Sequence, residues 1–237
     1  MSPIGSVGRS VRGRRLPDAI PDSGGDHQWN FEEGSATNVK DSIGSLDAPF
    51  TDITWESGAG AGDVHGVLDG TDDYANLGTQ SAFTHLINDG VGSVAWWVKI
   101  DSDSDQYAVL GTQLSEQTTS FGFWVDTGSP KFTMSDGSGA YAVDVSGGSF
   151  AADMWHMMGA RLDGDECHIY ADGELVVSET IDNTTTGEWA TYNVHIGAFD
   201  GGSNRLYGGG IDIGFVASVD IGDQGMIDWY NDTEGLF

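Results

Sequence analysis

The chain has 237 residues, and its 36 glycines, 8 tryptophans, 7 tyrosines and 10 phenylalanines against 5 prolines favour short strands joined by tight turns over helices. Its 37 acidic and 9 basic residues give a formal net charge of −28, which argues against binding naked nucleic acid or an anionic membrane through the main domain. The single Cys167 excludes an intramolecular disulfide and any paired-cysteine metal or redox motif.

Such self-repulsion suits a high-salt setting, where screening shortens electrostatic reach to about 3 Å. The halophilic reading is favoured over an acidic mesophilic or calcium-loaded secreted protein. The basic charge is unevenly spread: Arg9, Arg12, Arg14 and Arg15 fall in the first fifteen positions, where no acid occurs. Residues 1–25 are therefore expected to form a basic, flexible arm ahead of a single domain at 26–237. Arg14–Arg15 invites comparison with a twin-arginine export signal, but "LPDAIPDSGG" lacks the roughly 7–15-residue apolar stretch such a signal needs. No other export signal and no membrane span is expected.

After the arm, alternating segments recur between turn residues: 64–70, 74–78, 93–100, 107–113, 121–126, 131–136, 141–145, 155–162, 167–171, 174–181, 192–199 and 208–219. Twelve such segments with almost no helical periodicity predict an all-β, two-sheet antiparallel sandwich. "DQGMIDWYND" near the end predicts one helical turn. The best-specified piece is residues 155–177, where Asp163–Gly164 and Asp172–Gly173 suit type I′ hairpin turns. That register pairs Ala160 with Cys167, Met158 with Ile169, and Ile169 with Val176 on one apolar face. His168, Tyr170, Leu175 and Val177 lie on the other, apolar enough to predict partial covering. Cys167 reads as a small buried hydrophobe.

The stretches "GVLDGTDDYANLG", "SVAWWVKID", "WHMMGARLDGDECHIYADGELV" and "VHIGAFDGGSNRLYGGGID", with "WNFEEGSATNVKDSIG" upstream, resemble in order and spacing the laminin-G-like, concanavalin A-like jelly rolls, over about residues 28–233. The resemblance implies a jelly-roll sandwich that works as a recognition module; relatives of this fold bind glycans, proteins or steroids and some are glycoside hydrolases, so the resemblance leaves the ligand open. It aligns Trp97 with the family's core tryptophan, and His156 beside Trp155 with a structural Trp–His pair. It also implies a structural calcium between the opening and last strands, with Glu32 and Asp212 as side-chain ligands, although Ile213 stands where the family has a second acid. Calcium takes about six to eight oxygens. "DGTDDY" at 69–74 is a second candidate for the same ion.

Glycosidases of this fold carry Glu-x-Asp-x-Glu on one strand, and that pattern is absent. The nearest, Glu174 and Glu179, are five apart and on opposite faces. No nucleophile elbow, zinc-type histidine pair or phosphate cradle is present, so the chain is read as non-catalytic. Flat aromatic rings beside polar groups suit sugars. With Trp97 in the core, alternation turns Trp96 outward, and Trp124 and Tyr170 join it as candidate ligand-binding residues. Covering of Trp96 by protein, in the chain itself or a homo-oligomer, is the favoured alternative. Three roles follow. The first is a virion surface component of a haloarchaeal virus (spike, turret, decoration or tail fibre) that binds host glycan or glycoprotein and is anchored on capsid or tail proteins by its arm. The second is a secreted or cell-surface adhesion protein of a halophile, and the third a glycoside hydrolase.

Overall fold

The computed structural model describes residues 10–11, 14–15, 26–58, 64–112, 119–137, 141–181, 193–199, 202 and 204–237. Arg9 and Arg12 of the expected arm lie outside the described residues. For the paired strands β1 (Ser10–Val11) and β2 (Arg14–Arg15) only the backbone is described.

The body is built from β3 (His27–Trp29), β4 (Asn38–Val39), β5 (Ala48–Thr51), β6 (Thr54–Ser57), β7 (Val64–Asp69), β8 (Tyr74–Thr79), β9 (Val91–Ile100), β10 (Gln106–Gly111), β11 (Thr119–Asp126) and β12 (Ser129–Asp136). It continues through β13 (Tyr141–Ser146), β14 (Trp155–Asp163), β15 (Glu166–Ala171), β16 (Glu174–Thr180), β17 (Asn193–Ile196), β18 (Gly208–Ala217) and the helix α1 (Gly222–Thr233). One sheet runs β13-β12-β11-β10-β17-β8-β5-β4. The other runs β16-β15-β14-β9-β18-β7-β6, with β3 also paired to β18. All twelve predicted segments are strands. Among the described residues no helix is long and apolar enough to cross a membrane.

The two sheets enclose a core in which strand alternation decides who enters. From β11, Phe121, Phe123 and Val125 face inward, and from β9, Val94, Trp96, Val98 and Ile100 do so. Trp96 is thus an inward residue, fully buried, contrary to the outward position expected for it. Two neighbours explain the reversal. Gly214, its register partner on β18, lies so close to the indole that a Cβ there would sit 2.0 Å from the ring. Trp29 of β3 stacks on its other side at 5.5 Å and 14°.

Trp97 faces the opposite way, into a second apolar layer made by Ala95, Met157, Tyr170, Ile213, Phe215, Ala217, Met226 and Trp229. The roof of this layer is α1, three turns long where one was expected. Its buried Met226 and Trp229 meet the outer face of the second sheet, so β9 and β18 are buried on both sides. That explains their near-continuous apolar sequences.

The 155–177 meander forms with the predicted faces on β14 and β15 but a different register, and on β16 Val176 and Val177 exchange the faces expected for them. The Asp172–Gly173 turn has positive φ at both residues, 49° and 78°, as a type I′ hairpin requires. At the other turn the ladder pairs Leu162 with Cys167 and Ala160 with Ile169, two residues from the expected register. Asp163 Oδ1 accepts the N–H groups of Asp165 and Glu166, an Asx-type turn that moves the hairpin centre beyond Asp163–Gly164. A bulge between Ile169 and Tyr170 then brings Val177, not Val176, opposite Ile169. Val177 packs on the core and Val176 is exposed. Cys167 is fully buried, and burial pushes its thiol well above the usual range.

Candidate functional site

Where α1 ends, the outer face of the second sheet is left partly open. A cleft of about 460 Å³ there is lined by Trp97, Met154, Trp155, His156, Asp172, Tyr230, Glu234 and Phe237. Its aromatic wall is continuous. Tyr230 stacks on Trp97 at 5.7 Å, Phe237 stacks on the same indole at 4.1 Å, and Phe237 meets Trp155 at 5.1 Å. Trp97 is fixed from beneath by α1, since its Nε1–H donates to Thr233 Oγ1 at 2.8 Å.

Glycines let the two outer rings lie close to the backbone. Trp155 lies over β18 at Gly210, where a Cβ would approach its ring to 3.0 Å, and His65 meets the ring edge-on at 5.1 Å. Trp155 stays half-buried and lines the cleft, and among the described residues no group accepts its indole N–H. On the opposite wall Tyr230 lies against Gly173, where a Cβ would come to 2.6 Å. The turn and the helix therefore position each other.

The polar groups are equally fixed. Asp172 Oδ1 accepts the Met157 N–H at 2.9 Å and Oδ2 accepts His156 Nδ1–H at 2.8 Å. His156 Nε2 in turn accepts the Ala151 N–H at 3.1 Å, and Phe150 stacks on the imidazole at 4.6 Å. A carboxylate offers about four lone-pair directions, so Asp172, with its side chain 41% exposed, keeps acceptor capacity toward the cleft. Glu234 is exposed on the helix side and takes the Tyr230 hydroxyl. Burial first and Glu234 second hold that phenol above its usual range. Met154, 56% exposed, forms the lip.

The three aromatics singled out in the sequence are not brought together. Trp96 is in the inter-sheet core. Tyr170 is fully buried under α1, where its hydroxyl bonds Arg161 and Asp223. Trp124 is on the outer face of the first sheet, as alternation predicts, but is only 4% exposed. Lys131 and Arg205 cover its ring at 5.1 and 4.6 Å, and its Nε1–H donates to Thr133. The cleft residues Trp155, Tyr230, Glu234 and Phe237 were not recognised, because three of them come from the helix end and the segment beyond it.

Of the residues expected to hold calcium, Glu32 is half-buried and Asp212 fully buried. Asp212 lies fully buried in a β-bulge of β18 with Oδ1 on the Ile213 N–H. Ile213 packs into the apolar layer and supplies no side-chain oxygen. Among the described residues, the sets of three or more carboxylate and imidazole groups whose ligand atoms converge within 4.8 Å are Asp69–Asp72–Asp73 and Asp163–Glu166–His168. In the first, burial, and then the charges of Asp69 and Asp72, raise the Asp73 carboxyl.

Two antiparallel sheets packed face to face, with the strand orders given above, define a concanavalin A-like jelly-roll sandwich. The chain belongs to the concanavalin A-like lectin/glucanases superfamily, whose model matches residues 69–213, more than half of the chain. No curated protein matches it. Among solved structures it is similar to domain 4 of the extracellular GH43 arabinanase AbnA from Geobacillus stearothermophilus, solved in complex with arabinotriose. Identity is 15% and the TM-score 0.63, over 86% of this chain and 96% of that one. It is also similar to the CBM40 of the Ruminococcus gnavus IT-sialidase bound to α2,3-sialyllactose, at 14% identity and a TM-score of 0.54, over 75% of this chain and 96% of that one. A third is the botulinum neurotoxin serotype D binding domain, at 13% identity and a TM-score of 0.58, over 90% of this chain and 53% of that one. The chain thus spans about half of the toxin domain's length.

Proposed function

We propose that the protein is a non-catalytic glycan-recognition module whose sugar occupies the cleft beside the end of α1. The observation that carries this reading is the half-open Trp155 ring beside the Asp172 carboxylate. The apolar face of a pyranose or furanose can bury against such a ring while its hydroxyls donate to the carboxylate. The superfamily and the sugar-bound neighbours support it. Trp155→Ala is expected to weaken binding of a glycan found by array screening at least about tenfold, or 1.4 kcal/mol, with the fold intact by circular dichroism. Unchanged affinity by calorimetry would contradict the assignment.

The finer reading is display on a haloarchaeal virion, with residues 1–25 docking on an acidic partner shell. It rests on the contrast between the arginine-rich first fifteen residues and the acidic body. Deleting residues 1–25 is expected to abolish incorporation into particles and to spare folding. Normal incorporation of the shortened chain would remove the basis for an anchoring arm.

A further inference from the structure

We infer that the cleft selects uncharged glycans and rejects sialylated or uronate-bearing ones, with Asp172 and Glu234 as the residues that set this preference; the inference rests on the cleft being the sugar site. Every ionised group that lines it is a carboxylate. Of the other two titratable lining groups, the Tyr230 phenol is held above its usual range by burial and then Glu234, and His156 accepts a backbone N–H on Nε2, so that nitrogen presents a lone pair in this arrangement.

The surroundings reinforce the sign. Lys99, the register partner of Trp155, is the cation that the ladder places nearest to the cleft, and it is not among the lining residues. It stands in a field of acids. The Asp101 carboxyl is held above its usual range by burial first, then by the charge of Asp153; Lys99 opposes this and Glu56 adds to it. The body as a whole carries a large negative excess. A sugar hydroxyl meets Asp172 or Glu234 as a donor to a charged acceptor, which is favourable. A sugar carboxylate at the same distance meets like charge, and the repulsion grows as the ring walls exclude water. Two of the sugar-bound neighbours carry sialylated ligands, α2,3-sialyllactose and SialylT, so this chain is inferred to depart from them in ligand charge while sharing their fold.

The test is a glycan array that prints arabinotriose, lactose and other neutral oligosaccharides beside sialylated and uronate-bearing counterparts, followed by calorimetry on the hits. Wild type, Trp155→Ala, Glu234→Gln and Asp172→Asn are compared. Glu234 is the exposed position and keeps the test informative if Asp172→Asn disturbs its turn. Neutral hits lost in Trp155→Ala are expected, with acidic counterparts at least about tenfold weaker. Glu234→Gln and 1 M salt are each expected to narrow that gap. Trp155-dependent binding of acidic glycans as tight as their neutral counterparts would overturn the selectivity and leave the cleft reading standing. So would a gap indifferent both to Glu234→Gln and to salt. No binding of any glycan, or binding indifferent to Trp155→Ala, would overturn the cleft reading and the selectivity with it.

Discussion

Arg161→Met is expected to cost about 3 kcal/mol of folding stability and to loosen α1 from the sheet. The Arg161 guanidinium is the tie between the two. Its Nε donates to Tyr170 Oη at 2.7 Å and to Asp223 Oδ1 at 3.0 Å, Nη2 donates to Asp223 Oδ1 at 2.5 Å, and Nη1 to Asp220 Oδ2 at 3.1 Å. Tyr170 completes the ring by donating its hydroxyl to Asp223. Arg161 is 8% exposed, so its charge is desolvated and depends on these partners. Burial alone would lower its pKa, and the Tyr170 and Asp223 bonds raise it beyond the ordinary value. Asp223 is half-exposed and can turn to water when the cation is lost, which places the cost near the low end of the 3–5 kcal/mol range for broken buried pairs. Arg161→Lys does not rescue, because one ammonium cannot reproduce the planar fork that meets Tyr170, Asp220 and Asp223 together. Because α1 carries Tyr230, and Glu234 follows it, glycan affinity is expected to fall with the helix contact although Arg161 lies outside the cleft. Urea unfolding gives the stability term and amide exchange in α1 reports the loosening. A loss below about 1 kcal/mol with unchanged exchange would show that apolar packing and the Trp97–Thr233 hydrogen bond hold the helix without Arg161.

The second large effect belongs to Asp41, which organises the loop between β4 and β5. Its carboxylate, with no side-chain exposure, accepts His27 Nδ1–H at 2.6 Å and the N–H groups of Gln28, Ile43, Gly44 and Leu46 at 2.8–3.3 Å. Burial works to raise its pKa, but the bonds from His27 and the backbone N–H groups outweigh burial and lower it to about 2. A carboxyl whose folded value lies below its unfolded one contributes stability above the unfolded value, and that stability is lost as the pH falls through the folded value. The contribution is therefore complete at neutral pH and disappears between about pH 4 and pH 2. The shift from 3.8 corresponds to about 2 kcal/mol. Asp41→Asn is expected to cost about that much at pH 7, since the amide places an N–H where the carboxylate accepts. The gap between wild type and variant is expected to close as the pH falls from 4 to 2. A gap that stays constant over that range, measured by denaturant unfolding, would mean that the charge of Asp41 does not hold the loop.

The fold was readable because burial on one or both faces leaves an alternating or continuous apolar record in every long strand, and turn residues punctuate it. The short strands β3 and β4 leave little such record and show only as part of an opening strand and loop, and β5 and β6 are not among the predicted segments. The double tryptophan shows where the sequence stops. Alternation separates Trp96 from Trp97 but assigns neither to a side when both faces of a strand are covered. The deciding facts, the bare backbone at Gly214 and the helix over Trp97, lie more than a hundred residues away in sequence. Separation along the chain hid the cleft as well. Asp172–Gly173 was recognised as a turn and Trp155–His156 as a pair. Their function depends on Tyr230, Glu234 and Phe237 arriving from the chain's last segment, and α1 was underestimated because its apolar residues are few. The register of the β14–β15 hairpin was missed for a local reason, as the Asp163 side chain competes with the Asp–Gly preference for the turn.

The most direct measurement of the central claim is a heteronuclear NMR titration of the ¹⁵N-labelled protein with an array-selected neutral glycan. The account predicts that the indole N–H signal of Trp155 and the amides of Asp172, Gly173 and Tyr230 shift together with a single affinity, while the Trp124 indole on the opposite sheet stays in place. Shifts centred on Trp124 and its flanking Lys131 and Arg205, with Trp155 unmoved, would contradict it.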